Sequence, residues 1–310
     1  MSELNLKEIT KKLLSLVSDG EGDYKGAYNI RENGSCAARM SSEHIKIVSK
    51  TDKDGIEIHV DANTAGETVS IPACITKSDV DDLVYNDFFI GENADITVVA
   101  GCGVHSDGEG DSRHNGIHRF FLAKGARVKY LEKHVGTGDG SGKSFIDPVT
   151  EIYLDEDSYL EIDTAQIGGV DRSTRYTKAE VGKNARLIIR ERLLTEKDQS
   201  ADSDYLIEMN GENSALNLIS RSVARDNSRQ SYRSIVIGNA PCTGHTECDA
   251  IISENGIVDA APELRAHNGD AALIHEAAIG KIAGEQILKL RTLGLTESEA
   301  EQTIIDGFLS

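Results

Sequence analysis

A unit of roughly 30 residues repeats along this chain from about residue 90 to residue 275. Each copy opens with a turn that contains Gly, Asn or Asp, continues with one small residue, and then runs into a strand. The intervals between the small residues are 32, 32, 27, 29 and 57 residues, and the longest one leaves room for a degenerate copy near Cys242. The small residues are Ala94, Ala126, Ser158, Ala185, Ser214 and Ala271.

The strands of the repeat predict a parallel β-helix with two strands in each coil. Alternation of apolar and polar residues, as in Ile96, Thr97 and Val98, is typical of a strand and not of a helix. Units of this length that contain only strands are typical of stacked solenoid coils. A β-sandwich also contains many short strands, but it does not explain the near-constant period. A second strand is predicted in each unit, at residues 117–123, 149–154, 176–181, 205–209 and 231–237.

One helix is predicted near the N-terminus, where Leu6, Ile9 and Leu13 fall on one helical face. Asn5 would cap this helix, and Gly20 would end it. The polar stretch 21–35 that follows is expected to be irregular. After it, residues 44–50 and 55–62 are expected to form a hairpin with a turn at residues 54–55.

Two further helices are predicted at the C-terminus, one from about Glu276 to Gly294 and one that starts after Thr296. Thr296 and Glu299 match a capping box, which marks the start of a helix. The resulting helical hairpin either caps the solenoid or offers a docking surface to another protein. We therefore divide the chain into an N-terminal helix with lead-in strands (1–88), a β-helix core (89–275) and a C-terminal helical segment (276–310).

Charge and composition limit the classes of function. The net charge is −19, so the chain lacks the positive charge on which nucleic-acid binding depends. No run approaches the roughly 20 apolar residues of a membrane span, and the charged N-terminus does not resemble a secretory signal. We therefore expect a cytoplasmic protein that binds no membrane. Nine arginines between residues 172 and 233 are expected to lie on a solvated sheet face or to line a polar tunnel.

The five cysteines are expected to be thiols, because disulfides are rare in a reducing cytosol. We interpret Cys36 and Cys74 as packing residues. Cys248 is 27 residues before His275 and 28 before Glu276, which is about one coil of the solenoid. Residues one coil apart stack, so the three should lie on neighbouring coils. Thiolate, imidazole and carboxylate together suit iron or another transition metal; the alternative is a buried cysteine beside a helix-capping glutamate.

A second group of candidate residues surrounds Cys102. Cys102 and His105, followed by His114 and His118, have the spacing of a metal site. The favoured interpretation of Cys102 is a reactive, accessible cysteine between two glycines. The third interpretation is a cysteine that serves only for packing. His245 and Cys242 are weaker candidates for metal binding. Residues 136–144 resemble a phosphate-binding loop, but Thr137 stands where the pattern needs glycine and no helix follows, so we expect no nucleotide hydrolysis.

Three segments of the sequence resemble the SufB/SufD family, the scaffold proteins of the SUF system for iron–sulfur cluster assembly. The resemblance extends from about Tyr85 to the C-terminus. The chain is similar to the compact form of the family that is found in minimal systems. The resemblance implies a mainly β fold, a right-handed parallel β-helix with terminal helices. The segments are residues 219–230 (ISRSVARDNSRQ), 238–252 (GNAPCTGHTECDAII) and 273–308 (LIHEAAIGKIAGEQILKLRTLGLTESEAEQTIIDGF).

The resemblance also implies roles for individual residues. Cys248 matches the cysteine linked to the nascent cluster, with Glu276 and His275 as the accompanying iron ligands. Cys102 matches the cysteine that accepts sulfur from a cysteine desulfurase route. The chain departs from longer members along the sulfur path, where Glu132 and His134 occupy the comparable stretch. The sequence does not indicate the cluster type or whether a flavin takes part.

The resemblance further implies that this chain is a scaffold and not an enzyme. It would work as a homodimer with a SufC-like ABC-type ATPase, which would hydrolyse the ATP. The alternative is a regulatory or structural partner of that ATPase that binds no cluster. A β-helical carbohydrate-active enzyme is disfavoured, because aromatic residues are only 5% of the chain. The residues expected to dock the ATPase are Ile287, Leu290, Leu293, Ile304, Ile305 and Phe308.

Overall fold

The computed structural model describes residues 8–18, 24 and 26–310. The chain forms a β-solenoid of about eight turns with one N-terminal and two C-terminal helices, so the predicted parallel β-helix is confirmed. The helices are α1 Glu8–Val17, α2 Gly284–Thr292 and α3 Glu297–Phe308. The strands are β1 Ala27–Glu32, β2 Ser35–Met40, β3 Ile45–Ser49, β4 Gly55–Val60, β5 Ala65–Ile75, β6 Asp81–Ile90, β7 Asp95–His105, β8 Ser112–Leu122, β9 Arg127–Thr137, β10 Ser144–Ile146, β11 Val149–Leu154, β12 Tyr159–Ile167, β13 Arg172–Val181, β14 Arg186–Thr195, β15 Ser200–Met209, β16 Ser214–Ala224, β17 Arg229–Gly238, β18 Cys242–Ile252, β19 Ile257–Ala266 and β20 Ala271–Gly280.

Each coil contributes to both of two facing sheets, with one strand in each, except that β10 and β11 together fill one position of sheet 2. Sheet 1 has the order β2-β1-β5-β7-β9-β12-β14-β16-β18-β20, and sheet 2 runs from β19 through β17, β15 and β13 to β3. The hairpins β1–β2 and β3–β4 are antiparallel, and the strands of the following coils pair in parallel. From β7 to β20 the pairs of sheet 1 keep one register. Residues one coil apart therefore stack in columns.

The turn before each sheet 1 strand explains the repeat. Before the sheet 1 strands from β5 to β16, a residue in the left-handed region, which Asn, Asp and Gly adopt at least cost, directly precedes the buried small residue. Cys242 is in register with Ser214 and Ala271, so it occupies the predicted degenerate copy. Buried Thr64 holds the equivalent position before β5, which the repeat analysis missed. The left-handed residues are Asn63, Asn93, Gly125, Asp157, Asn184 and Asn213.

The half of the interior next to this turn is apolar. Phe88 and Phe120 stack there with their ring centroids 4.4 Å apart, and both side chains are fully buried. Hydrocarbon burial in this half supplies the main stabilisation of the solenoid. We call it the apolar half; its members in sheet 1 are Val98, Tyr130, Ile162, Ile189 and Leu218.

The half of the interior away from this turn contains polar side chains, although these side chains are also buried. We call it the polar half. Sheet 2 contributes His114, His118, Arg175, Ser203 and Ser234 to it. The sheet 1 members are Glu132, His134, Thr164, Glu191, Ser220 and Cys248.

Two local predictions are wrong. The stretch 21–35, expected to be irregular, contains β1, which pairs with β2 and β5. The helix expected from Glu276 begins at Gly284, because residues 276–280 continue β20 against β18. The hairpin of β3 and β4 and the capping box of Thr296 and Glu299 are confirmed. Asn5, Leu6 and Gly20 lie outside the described residues.

Helices α1 and α3 both cover the outer face of sheet 1. A Cβ on Gly101 would lie 2.8 Å from Cβ of Val17, and one on Gly103 would lie 3.1 Å from Cβ of Leu13, so α1 requires both glycines of β7. Ile305 and Leu309 of the α3 region pack with Leu194 and Val223. None of the helices in the described part of the chain has the length and apolar character needed to cross a membrane.

Candidate functional site

The polar half begins at Cys102, which points into the solenoid. Cys102 is in register with His134 of the next coil, and only 1% of it is exposed. Burial raises the pKa of its thiol well above the ordinary value. The expectation of an accessible cysteine is therefore wrong, and the flanking glycines serve the packing of α1 instead.

Next to His134 lies a buried ion pair. Arg175 Nη1 is 2.9 Å from Glu132 Oε2, and the Tyr130 hydroxyl donates a hydrogen bond of 2.7 Å to Glu132 Oε1. Burial alone would raise the pKa of Glu132, but Arg175 and His134 more than offset it and hold that pKa well below its usual range. Glu132 is therefore a buried carboxylate held by a buried cation.

Arg175 also links this carboxylate to a second one. Its Nε atom lies 3.6 Å from Glu191 Oε1. Ser203 and Ser220 donate hydrogen bonds of 2.6 and 2.7 Å to the two oxygens of Glu191. Ser220 is in register with Cys248. A continuous file of polar side chains therefore leads from the neighbour of Cys102 to Cys248.

Cys248 lies at the end of this file, and 3% of it is exposed. Burial, with a contribution from Glu191, raises the pKa of its thiol to about 11. Three hydroxyls of sheet 2 lie in the same half: Tyr205, Tyr232 and Ser234. Within the described residues, no hydrogen bond of ordinary geometry satisfies these three buried oxygens.

The register divides the predicted iron ligands between two faces. Cys248 is opposite Ala277, and His275 is opposite Thr246. The Thr246 hydroxyl is hydrogen-bonded to Nδ1 of His275 at 2.6 Å. Both Cys248 and His275 face the interior, and burial lowers the pKa of His275. Glu276 is the next residue along the strand and faces outward, with 68% of its side chain exposed. A single chain therefore places Cys248 and His275 on the same face of neighbouring strands, as diagonal neighbours, and Glu276 on the opposite face.

The histidines near Cys102 are each engaged elsewhere. His105 bonds Thr137 at 2.9 Å, His114 bonds the buried Asp82 at 3.0 Å, and His118 bonds Tyr130 at 2.6 Å. Burial lowers the pKa of His118 to about 4. In the part of the chain that the structure describes, none of them belongs to a group of three potential ligands within metal-binding distance.

Such a group exists on the outer face of sheet 1. It consists of His245, Glu247 and Glu276, whose ligand atoms all lie within 4.8 Å of one another. The sequence analysis did not single out Glu247. The signal that would have found it is its position, two residues after His245 and in register with Glu276. Cys242, the other weak candidate, packs in the core with 4% exposed.

The predicted docking residues divide in a similar way. Ile305 lies on the face of α3 that packs against sheet 1 and is buried there, so it is not available to a partner. Ile287, Leu290, Ile304 and Phe308 are half-buried. Leu293 is 79% exposed, and Leu288, which the sequence analysis did not name, is 60% exposed.

Comparison with known proteins identifies the family of this solenoid. The model of the family described as "SUF system FeS cluster assembly, SufBD core domain" matches residues 84–308. The chain belongs to the SufB/SufD family, which confirms the resemblance seen in the sequence.

Individual relatives are similar over most of the chain. An iron–sulfur cluster assembly SufBD family protein of Archaeoglobus fulgidus is 33% identical over 251 residues, which are 79% of this chain and 66% of the relative. One from Methanothermobacter thermautotrophicus is 30% identical over 251 residues, again 79% of this chain but 60% of the relative. One from Methanocaldococcus jannaschii is 28% identical over 239 residues, 76% of this chain and 74% of the relative. The chain thus spans less than two thirds of the length of the first two relatives.

Proposed function

We propose that this chain is a scaffold on which iron–sulfur clusters are assembled at the last coils of the solenoid, around Cys248. The observation that carries the proposal is the file of buried polar side chains between Cys102 and Cys248. Buried polar and charged groups cost stability unless they are well paired, so a series of them through a solenoid core favours a functional role. Membership of a family named for iron–sulfur cluster assembly supports the same role.

Sulfur would enter at Cys102. Its thiolate would attack the outer sulfur of a donor persulfide from a cysteine desulfurase route, and the donor cysteine would leave as a thiolate. Because the thiol is buried and its pKa is raised, the donor has to open the structure around β7 before this step. The product is a persulfide on Cys102 that faces the polar half.

The sulfur cannot pass directly from Cys102 to Cys248. Five strand spacings of sheet 1 separate β7 from β18, and at about 4.8 Å each they amount to about 24 Å. The polar half would supply the route between the two thiols. His134 and Glu132 stand at the entrance of this route.

A homodimer would complete the ligand set. A cluster usually needs four ligands, whereas one chain offers Cys248 and His275 on the inside and Glu276 on the outside. Within the described chain, β19 and β20 each have one edge without a strand partner, and exposed edges favour pairing with another chain. Apolar side chains exposed on these last strands support such an interface: Ile257, Leu264, Ile274 and Ile279.

The C-terminal helices would dock a SufC-like ABC-type ATPase. No side chain of α2 is buried in the described part of the chain, and the exposed apolar residues here are Leu288 of α2 and Leu293 at its C-terminal cap. ATP hydrolysis would then take place in that partner and not in this chain. The alternative, an ATPase partner that binds no cluster, is favoured by one observation: the buried Cys248 thiol with its pKa of about 11 is not a ready ligand.

Anaerobic reconstitution with ferrous iron and sulfide separates the two functions. We expect visible charge-transfer absorption in the wild-type protein and a loss of most of it in Cys248→Ala and His275→Ala. Cys36→Ala is the matched control, because that cysteine is exposed and far from the site, and it should keep the absorption. Equal absorption in Cys248→Ala and wild type would contradict the assembly function and support the alternative.

A further inference from the structure

The outer face of β18 and β20 carries three metal-ligating side chains that lie close together. His245 and Glu247 are on β18, and Glu276 on β20 is in register with Glu247. His245 Nε2 is 3.3 Å from Glu276 Oε2. Cys248 lies next to Glu247 in sequence but points to the opposite face of the same strand. The group is therefore separate from the interior site that contains Cys248.

A fourth residue outside the group orients the imidazole. His245 Nδ1 is 3.1 Å from Oδ1 of Asn217, its register partner on β16. With the Asn217 oxygen as acceptor, Nδ1 donates this hydrogen bond, which leaves Nε2 as the ring nitrogen that a metal could take. Metal-binding histidines are commonly held in this way by a hydrogen bond from the other ring nitrogen.

The imidazole also faces Glu276, with His245 Nε2 3.3 Å from Glu276 Oε2. A second carboxylate, Glu247, has an oxygen within 4.8 Å of both ligand atoms. A cation placed among the three would be held by one imidazole nitrogen and two carboxylates. The polar atoms thus converge on a position suited to a positive charge.

We propose that His245, Glu247 and Glu276 bind one divalent transition-metal ion on the outer face of sheet 1. One imidazole with two carboxylates suits Fe²⁺, Mn²⁺ or Zn²⁺, whereas Ca²⁺ and Mg²⁺ take oxygen ligands alone. The site has no thiolate, and Glu276 is largely exposed. Binding is therefore exchangeable, as a site that receives a metal and passes it on requires.

The biological assignment of this metal to iron rests on the proposed function. Iron would then arrive at the outside of β18 while sulfur arrives at Cys248 on the inside. The two reactants stay on opposite faces of one strand until the cluster is assembled. The metal site itself does not depend on Cys248.

The test is a titration of the whole chain with Mn²⁺, in which electron paramagnetic resonance measures the free ion. A second titration uses Fe²⁺ under anaerobic conditions. We expect one site in the wild type. His245→Ala and Glu247→Gln should weaken binding by more than about tenfold, and Asn217→Ala, which removes only the orienting partner, by about tenfold. Glu285→Gln, an exposed carboxylate on α2, is the control and should bind as the wild type does. Circular dichroism checks that each variant is folded.

The outcomes distinguish this site from the proposed function. Cys248→Ala should lose cluster formation and still bind Mn²⁺ at one site. If wild-type protein binds Mn²⁺ but forms no cluster, the metal site stands and the assembly function does not. Unchanged binding in folded His245→Ala and Glu247→Gln, or no single site in the wild type, would overturn the inference.

Discussion

The two halves of the solenoid interior share one backbone and one register, but they bury different chemistry. In the apolar half, stacked residues such as Phe88 and Phe120 gain stability in proportion to the hydrocarbon they remove from water. In the polar half, Glu132, Arg175 and Glu191 are as deeply buried and depend on one another for compensation. A solenoid built only for stability would continue the apolar columns across both halves.

The comparison teaches where stability and function are separated in this fold. Each coil carries its apolar residues next to the small residue of the turn and its polar residues later in the strand. The apolar half can therefore hold the coils together while the polar half contains the buried polar side chains that lie between Cys102 and Cys248. The outer metal group lies on the same strand as Cys248, so both candidate sites depend on the register that the apolar half fixes.

Removal of the central cation should have the largest effect. Arg175→Met leaves two buried carboxylates uncompensated and should lower the free energy of unfolding by about 3–5 kcal/mol. Urea denaturation measures this loss. Arg190→Ala is the matched control: it breaks a partly exposed ion pair with Glu161 and should cost less than about 1 kcal/mol.

A triple variant sharpens this result. Arg175→Met combined with Glu132→Gln and Glu191→Gln removes both charges that the arginine compensates. It should recover much of the stability lost by Arg175→Met alone. If Arg175→Met is as stable as the wild type, the ion network does not hold the polar half together.

Acid should weaken the polar half before the apolar half. His118 has a pKa of about 4 in the folded chain, below its ordinary value of 6.5, because it is buried. Between these values the unfolded chain binds a proton that the folded chain does not, so stability is lost as the pH falls from about 6.5 to 4. The loss from this group between pH 7.5 and pH 5 is about 2 kcal/mol.

Urea denaturation at the two pH values tests this expectation. His118→Gln removes the titrating ring and should lose less stability on acidification than the wild type, even if it is less stable at pH 7.5. His44→Gln, which changes a half-exposed histidine at the other end of the solenoid, is the control. An equal pH dependence in His118→Gln and wild type would contradict the assignment.

For most site residues, counting from the small residue of the coil predicts from the sequence whether the side chain points into or out of the solenoid. Cys242 to Cys248, Ala126 to Glu132 and Ala185 to Glu191 are each six residues, and an even count places a side chain inward, on the same face as the small residue. Ala271 to Glu276 is five, so the same count places Glu276 outward. The sequence analysis used the coil length and not this parity, and it therefore grouped Glu276 with Cys248.

Other features depend on tertiary contacts that the sequence does not display. Arg175 lies on sheet 2, where no small residue marks the start of the strand, so its inward position follows only from the packing of the coils. Residues 276–280 resemble the start of a helix, but pairing with β18 overrides that local preference. Cys102 is buried because it packs inside the solenoid with Ile75 and Ile146, which the adjacent glycines alone do not reveal.

The smallest of these effects belongs to the turn that starts the apolar half. Asn184 has φ of 54°, in the left-handed region, directly before buried Ala185. Asn184→Ala should lower the free energy of unfolding by about 1 kcal/mol, because alanine adopts this conformation less readily. Asn184→Gly, which tolerates the same backbone, should stay closer to the wild type in urea denaturation. Both variants should leave cluster reconstitution unchanged, since the turn lies on the opposite side of the interior from the polar half; a loss of reconstitution in a folded Asn184→Ala variant would show that the two halves are not independent.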